Sequence, residues 1–272
     1  MEEEIFKYKR LALFGDDFGI KQLLEHLPPE LVKCIVGAAN RPKYHSNLKQ
    51  LSAKLKTPLL VQPAFSSRAY KNFIKEFKQL DIDLIMTNSY SLKIRKDLLS
   101  SVKDNAINLH WSLLPKNRGP NPLQWAIIKG EKYTGVTVHY MDEGFDSGDI
   151  IAQKKVKIAF KDTWLSLREK IVKAQDKLLS TTLPAILAGT NKRKKQNTAR
   201  VTTNKRLSSS SPLIHFRAMS NLEIYNLIRA QVQPLSGAYI IKDKKDLRFK
   251  TYLSLPEIEL LRKKYVSRNT SA

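Results

Sequence analysis

The chain has 272 residues, of which 42% are hydrophobic and 27% charged, and a mass of 31.2 kDa; that length and balance support a buried core without disulfides or metal. A single cysteine, Cys34, excludes an intramolecular disulfide and an all-cysteine metal site, and it fits a reducing compartment. The formal net charge of +23 points to polyanionic partners: nucleic acid, anionic lipid surfaces or phosphorylated small molecules.

No apolar run approaches the ~18 residues a membrane span needs. The opening residues are acidic and lack the apolar stretch of a signal peptide. The expectation is a cytoplasmic protein with no membrane span.

Arg10 to Gly15 is a short apolar run ending in glycine and reads as a buried strand before a tight turn. Gly19 to Leu27 reads as a helix stopped by Pro28 and Pro29. Strands follow at Leu31–Ala39, Pro58–Val61, Asp83–Thr87 and Ala106–His110, with helices at Leu48–Leu55, Ser67–Leu80 and Lys96–Ser101 between them. This alternation predicts an α/β protein with a Rossmann-like, open, mostly parallel sheet. Ligands of such sheets bind beyond the carboxyl ends of the strands, where strand order reverses. Residues after Thr87 and around His110 are therefore site candidates.

Further on, Pro122–Lys129 reads as a helix, Tyr133–Tyr140 and Asp149–Ile158 as strands, and Thr163–Leu187 as a long amphipathic helix closed by Gly189. Residues 190–211 lack apolar periodicity and read as an exposed, mobile loop. Within 191–211 there are seven basic side chains and no acidic one. That run fits a solvated connection, a nuclear signal or a nucleic-acid arm. After it, Asn221–Val232 is amphipathic, Gly237–Lys242 and Arg248–Leu253 can pair as strands, and Pro256–Tyr265 reads as a terminal helix.

The chemistry concentrates between Asn108 and Asp149. On a strand, Asn108 and His110 share a face because the side-chain period is two. Asp146 lies between Gly144 and Gly148, in a loop permissive enough to bring a carboxylate to a partner. An amide that donates to an oxyanion, an imidazole that manages a proton and a carboxylate that orients the imidazole suit acyl transfer. The same residues also fit ordinary satisfied polar groups at a strand end. His139 sits in an alternating strand and reads as structural. His26, His45 and His215 read as loop or surface residues.

The ordered set Asn108-x-His110-x-Ser112-Leu113-Leu114-Pro115, Arg118-Gly119, Thr134-Gly135-Val136-Thr137 and Met141-Asp142-x-Gly144-x-Asp146-x-Gly148-Asp149 resembles the 10-formyltetrahydrofolate-dependent formyltransferases. The likeness extends back through the strand–helix pattern from residue 10 and resumes weakly at Ile224 to Ala238, where Ser236 stands in place of the family's usual proline. The resemblance implies a formyltransferase fold over residues 1–189, a basic, serine-rich linker at 190–211 and a small C-terminal α+β region at 212–272. It implies direct transfer of a formyl group from 10-formyltetrahydrofolate to a primary amine without a metal, with Asn108, His110 and Asp146 as the catalytic trio. It places the folate beside Met86, Ser89, Tyr90 and Leu92 on one side and Asp142 and Gly144 on the other, largely through main-chain groups.

The acceptor is less directly written. Arg118-Gly119-Pro120-Asn121-Pro122, with Trp125, resembles the nucleotide-sugar N-formyltransferases, which act in surface polysaccharide biosynthesis and are typically homodimers. Gln124 and the charge suit the enzymes that formylate methionyl initiator tRNA, but only 34 residues follow Ala238, too few for the full C-terminal barrel those enzymes usually carry. The expected partner is a nucleotide-linked amino sugar, with tRNA the alternative and a non-catalytic RNA-binding protein on this fold a second alternative. Candidate substrate contacts are Arg10, Arg118, Asn121 and Trp125. Arg118 fits either an acceptor phosphate or a loop tie, and Trp125 fits either a stacked base or sugar or helix packing.

Overall fold

In the computed structural model, residues 6–103, 105–242 and 245–266 are described. Short apolar segments form the strands β1 (Leu11–Gly15), β2 (Val32–Ala38), β3 (Leu59–Gln62), β4 (Leu84–Asn88) and β5 (Ala106–His110). Every residue of β1 and β4 is buried, as the central strands of a parallel sheet covered on both faces are. The intervening helices are α1 (Asp17–Leu24), α2 (His45–Leu55), α3 (Arg68–Gln79) and α4 (Lys96–Ser101). Asp16 starts α1 by accepting the Gly19 amide at 2.8 Å, two residues before the expected start.

Strands β6 (Tyr133–Tyr140) and β7 (Ile150–Lys157) complete a seven-stranded sheet of order β3-β2-β1-β4-β5-β6-β7. The pairs from β3 to β5 are parallel and β5 with β6 is antiparallel. The expected open, mostly parallel α/β sheet is therefore the one that forms. Strand order reverses between β1 and β4, so the carboxyl ends of β4 and β5 face the crevice where such sheets bind ligands.

The remaining elements are α5 (Pro122–Ile128), α6 (Trp164–Leu187), α7 (Asn221–Arg229), the antiparallel pair β8 (Ala238–Lys242) and β9 (Lys245–Phe249), and α8 (Leu255–Val266). β9 occupies Lys245–Phe249 rather than Arg248–Leu253. The register sets Ala238 against Phe249, and Leu253 leaves the ladder to pack with Ile224, Ile228 and Ile258.

The chain divides into two compact units: residues 1–110, 137–154 and 175–198, and residues 111–136, 155–174 and 199–272. The first has a core built on Phe14, Phe73, Phe77 and Ile85, with Phe14 and Phe77 edge to face at 5.7 Å. In the second, Leu123, Ile127, Leu167 and Ile171 form one cluster, and Ile224, Tyr225, Ile228 and Ile258 another. Its buried polar centre is Asp162, which accepts from Lys170 and the Ala159 amide, while the buried Arg229 donates to the Asp162 carbonyl at 2.6 Å. The C-terminal residues thus share a unit with two earlier pieces of the chain.

The segment 190–211 is largely exposed and irregular, and it makes backbone hydrogen bonds to both units. Lys194 exchanges two hydrogen bonds with Ile150 in the first unit; in the second, Arg118 donates to Thr202 and accepts from Asn204. Its polar composition hides these pairings because none needs an apolar side chain.

Candidate active site

The register of three neighbouring strands assembles the site in the first unit. Thr87 of β4 pairs with Asn108 of β5, and Asn108 pairs with His139 of β6. Paired positions point to the same face, so three polar side chains lie in a row. His110 follows on that face, two residues beyond Asn108. Thr87 and His139 are each 1% exposed, so their polar atoms need protein partners.

Those partners fix the protons. The His139 Nδ1 lies 2.7 Å from the Tyr140 carbonyl, which only accepts, so Nδ1 carries the proton. In the neutral ring Nε2 then accepts, and the Asn108 amide donates to it at 3.1 Å. The second Asn108 amide proton points to Asp146 Oδ1 at 3.3 Å. The Thr87 hydroxyl donates to Asn108 Oδ1 at 2.5 Å, which leaves one orientation of the amide consistent with every partner. His110 Nδ1 lies 3.6 Å from Asp146 Oδ2, so the carboxylate faces both the amide and the imidazole.

The loop around Asp146 is built for that approach. Asp146 adopts a left-handed conformation, φ +49°, at a cost of about 1 kcal/mol for a non-glycine residue. A Cβ on Gly148 would lie 2.0 Å from the Tyr140 carbonyl oxygen, and one on Gly144 would lie 2.0 Å from the Ser147 hydroxyl. At Gly148 the obstacle is backbone, so no side chain fits without moving the loop; at Gly144 it is the Ser147 side chain, which can turn aside. The Gln196 amide donates to the Asp146 carbonyl at 2.8 Å and the Gly148 carbonyl at 2.7 Å, clasping the turn from outside.

Among the expected folate contacts, the structure draws two loops together. Lys93, after β4, stands 4.8 Å from the Phe145 ring centroid, and Lys96 pairs with Glu143 at 3.2 Å. Ser89, φ +57°, and the half-buried Leu92 lie in the first loop. Asp142 shapes the second by accepting the Gly144 amide and the Ser147 hydroxyl. Two of these residues turn their side chains into the sheet. Met86 is fully buried within β4 and pairs with both β1 and β5, so it belongs to the sheet and not to the loop. Tyr90 turns inward: its ring meets Phe14 edge to face and its hydroxyl donates to Gln62 Oε1, and burial pushes its phenol well above the ordinary value.

The expected substrate residues fall in both units. Arg10 is at the amino end of β1, opposite the crevice, where its guanidinium donates to the Leu80 and Asp81 carbonyls. It lies away from the crevice, because the amino end of a parallel strand is at the opposite edge of the sheet from the carboxyl ends. In the second unit, Arg118, Asn121 and Trp125 gather along residues 202–207. The Arg118 backbone pairs with that segment, Asn121 Oδ1 accepts the Leu207 amide, and the Trp125 indole donates to the Lys205 carbonyl.

Sequence reasoning missed Thr87 and Gln196 and set His139 aside as structural. Thr87 and His139 are defined by register, and Gln196 by a return of the chain; no local motif signals either.

A profile of the formyl transferase family matches residues 19–183. The chain belongs to that family. This makes it a formyl-group transferase. It is 33% identical over 261 residues to the bifunctional polymyxin resistance protein ArnA of Wigglesworthia glossinidia brevipalpis, covering 93% of this chain but only 38% of that protein. It is 34% identical over 231 residues to a methionyl-tRNA formyltransferase of Halothermothrix orenii, covering 82% of this chain and 72% of the relative. The solved structure of WlaRD, a sugar 3N-formyl transferase in the presence of dTDP and 5-N-formyl-THF, has the same fold: TM-score 0.68 at 19% identity, over 88% of this chain and 84% of that one. Among the described residues, no helix of this formyltransferase is long and apolar enough to cross a membrane.

Proposed function

We propose that this formyltransferase moves the formyl group of 10-formyltetrahydrofolate to the primary amine of a nucleotide-linked amino sugar. The observation that carries the chemistry is Asp146 facing both His110 and Asn108 at the carboxyl end of β5. The loops carrying Ser89–Leu92 and Asp142–Phe145 approach each other beside that centre, which suits a flat folate ring between them.

In this reading the amine nitrogen bonds to the formyl carbon and the carbon's bond to the folate nitrogen breaks. The proton lost by the amine ends on the folate nitrogen. His110 carries it, and Asp146 steadies the charged imidazole. The Asn108 amide donates to the formyl oxygen as negative charge gathers there. Thr87 and His139 hold that amide in place.

The nucleotide-sugar acceptor is supported by the Arg118–Pro122 sequence with Trp125, and by a sugar-enzyme fold that matches 88% of the chain. A second reading, methionyl-tRNA as acceptor, is favoured by the 34% identity to a methionyl-tRNA formyltransferase and by the +23 charge. A formyl-transfer assay separates them. It offers the protein 10-formyltetrahydrofolate with amino-sugar nucleotides in one arm and methionyl initiator tRNA in the other. Turnover in the first arm supports the proposal, and turnover confined to the second replaces it. His110→Ala is expected to lower the rate by a factor of about 100 or more. Equal rates in the variant and the parent would remove the catalytic assignment and leave a binding protein on this fold.

A further inference from the structure

The loop that carries Asp146 is braced by a piece of chain far from it in sequence. The brace is residues 191–196, and both pieces lie in the first unit. The Asn191 side-chain amide donates to the Tyr140 hydroxyl at 2.9 Å. The Arg193 guanidinium lies 3.5 Å over the Tyr140 ring centroid. The Lys194 backbone exchanges hydrogen bonds of 2.8 and 2.9 Å with Ile150. Gln196 then reaches the Asp146 and Gly148 carbonyls. The loop is thus held at its entry, at its exit and at its centre.

The central contact is the most specific. One Gln196 nitrogen serves both carbonyls, and an amide nitrogen has two protons to give. The reverse orientation would set the amide oxygen against two carbonyl oxygens, so one orientation fits. The two bonds pin the chain before and after Ser147. Asp146 needs that support. Its left-handed backbone is unfavourable for a residue with a side chain and persists only where the surroundings over-determine it. Its carboxylate lies 3.6 Å from His110 and 3.3 Å from the Asn108 amide, so a small drift of the backbone opens both contacts. The Tyr140 end bears on the same centre: the Tyr140 carbonyl takes the His139 Nδ1 proton, and His139 accepts from Asn108. The brace lies beyond residues 19–183, the part of the chain matched to the formyl transferase family.

We propose that residues 191–196 are a positioning strap for formyl transfer, in which Gln196 holds the Asp146 turn so that the carboxylate meets His110. Gln196 touches no reacting atom and acts through Asp146. The proposal rests on the reading of Asp146 as a catalytic group, and its test separates the two.

Gln196→Met keeps an unbranched side chain of similar length and removes both donors. Steady-state kinetics use 10-formyltetrahydrofolate and whichever acceptor the parent turns over, amino-sugar nucleotide or methionyl initiator tRNA. The kcat is expected to fall about tenfold, with KM for either substrate changed less than about threefold, since a displaced group weakens transition-state contacts first. Melting temperatures are measured alongside. Gln196→Asn, which draws the same amide back by one carbon, is expected to lower kcat in the same way and decides the matter should Gln196→Met fail to fold. Lys195→Ala, at an exposed neighbouring position, is expected to keep the parental kcat. A double-mutant cycle then tests the route. Asp146→Asn tolerates the left-handed turn and is expected to cost a factor of about 100 or more in kcat. Asp146→Asn/Gln196→Met is expected to stay within about twofold of Asp146→Asn, because no carboxylate is left to position. Losses that multiply would place the action of Gln196 elsewhere and overturn the proposal. A change confined to KM, or parental kcat in both Gln196 variants, would overturn it too. Each of these results leaves the catalytic reading of Asp146 standing. Parental kcat in Asp146→Asn, or a parent that turns over neither acceptor, overturns that reading and the strap with it.

Discussion

Asn108 has two amide protons, and each points at a side chain of the site, one at His139 and one at Asp146. For the amide to meet a formyl oxygen, one of these bonds has to open. The contact to Asp146 is the longer, 3.3 Å against 3.1 Å, and Asp146 has His110 as a second partner at 3.6 Å. The amide therefore swings most easily away from the carboxylate as His110 takes up charge. Thr87 keeps that motion small by holding the amide oxygen at 2.5 Å. Thr87→Val preserves volume and removes the hydroxyl. It is expected to lower kcat about tenfold or more, with little change in KM for the acceptor, because misplacing one polar group weakens transition-state contacts more than ground-state binding. Steady-state kinetics with a saturating formyl donor checks this; a change confined to KM would assign Thr87 to binding. That Asn108 and His110 share a face was legible from the strand period of two, and their proposed roles came from the resemblance of the surrounding motifs. Thr87 and His139 were not legible, since their place beside Asn108 depends on the register of β4 and β6, which no run of residues encodes.

Most elements could be read from apolar spacing because the central strands of the parallel sheet are buried on both faces and most helices on one. What the spacing could not carry was anything fixed by backbone contacts. The β8–β9 register depends on which residue opposes Ala238, and the ties of residues 190–211 involve polar chain alone. The loop after β6 shows the same dependence at closer range. Its two glycines were legible as freedom, but Gly148 is a steric requirement, since a Cβ there would lie 2.0 Å from the Tyr140 carbonyl oxygen. Gly148→Ala is expected to push the loop off the Tyr140 carbonyl, cost about 2 kcal/mol and abolish most formyl transfer. Thermal melting and rate are measured together. A variant with parental melting temperature and parental rate would show that the turn tolerates displacement.

At the scale of the molecule, the second unit carries its own acid sensitivity. Burial alone would raise the Asp162 carboxyl, but hydrogen bonds from Lys170, the Ala159 amide and Ser166, with the Lys170 charge, outweigh it and hold the group below the usual carboxylate range. A folded pKa below the unfolded one stabilises the fold in full above the ordinary value, 3.8, and the contribution disappears as pH falls through the folded value. Unfolding followed from pH 7 down to about pH 2 is expected to show this loss, and Asp162→Asn to flatten it while costing about 2 kcal/mol at neutral pH. An identical acid profile in the variant would remove Asp162 as the source. We also expect a homodimer, with exposed Ile241, Leu247 and Leu260 as surface that a partner copy can cover. Light scattering at the mass of one chain, 31.2 kDa, would defeat that expectation.

The Gln196 clasp has a consequence for modularity. Asn108, His110 and Asp146 all precede α6, so the chain up to Leu187 contains every proposed catalytic side chain. It lacks the amide that holds Asp146 in its left-handed turn. Transplanted into a fusion, such a cassette would keep its chemistry in spelling but not in geometry. The basic stretch after α6 is thereby an heirloom of the reaction centre as well as a polyelectrolyte, and any recombination that shuffles this enzyme has to inherit both together.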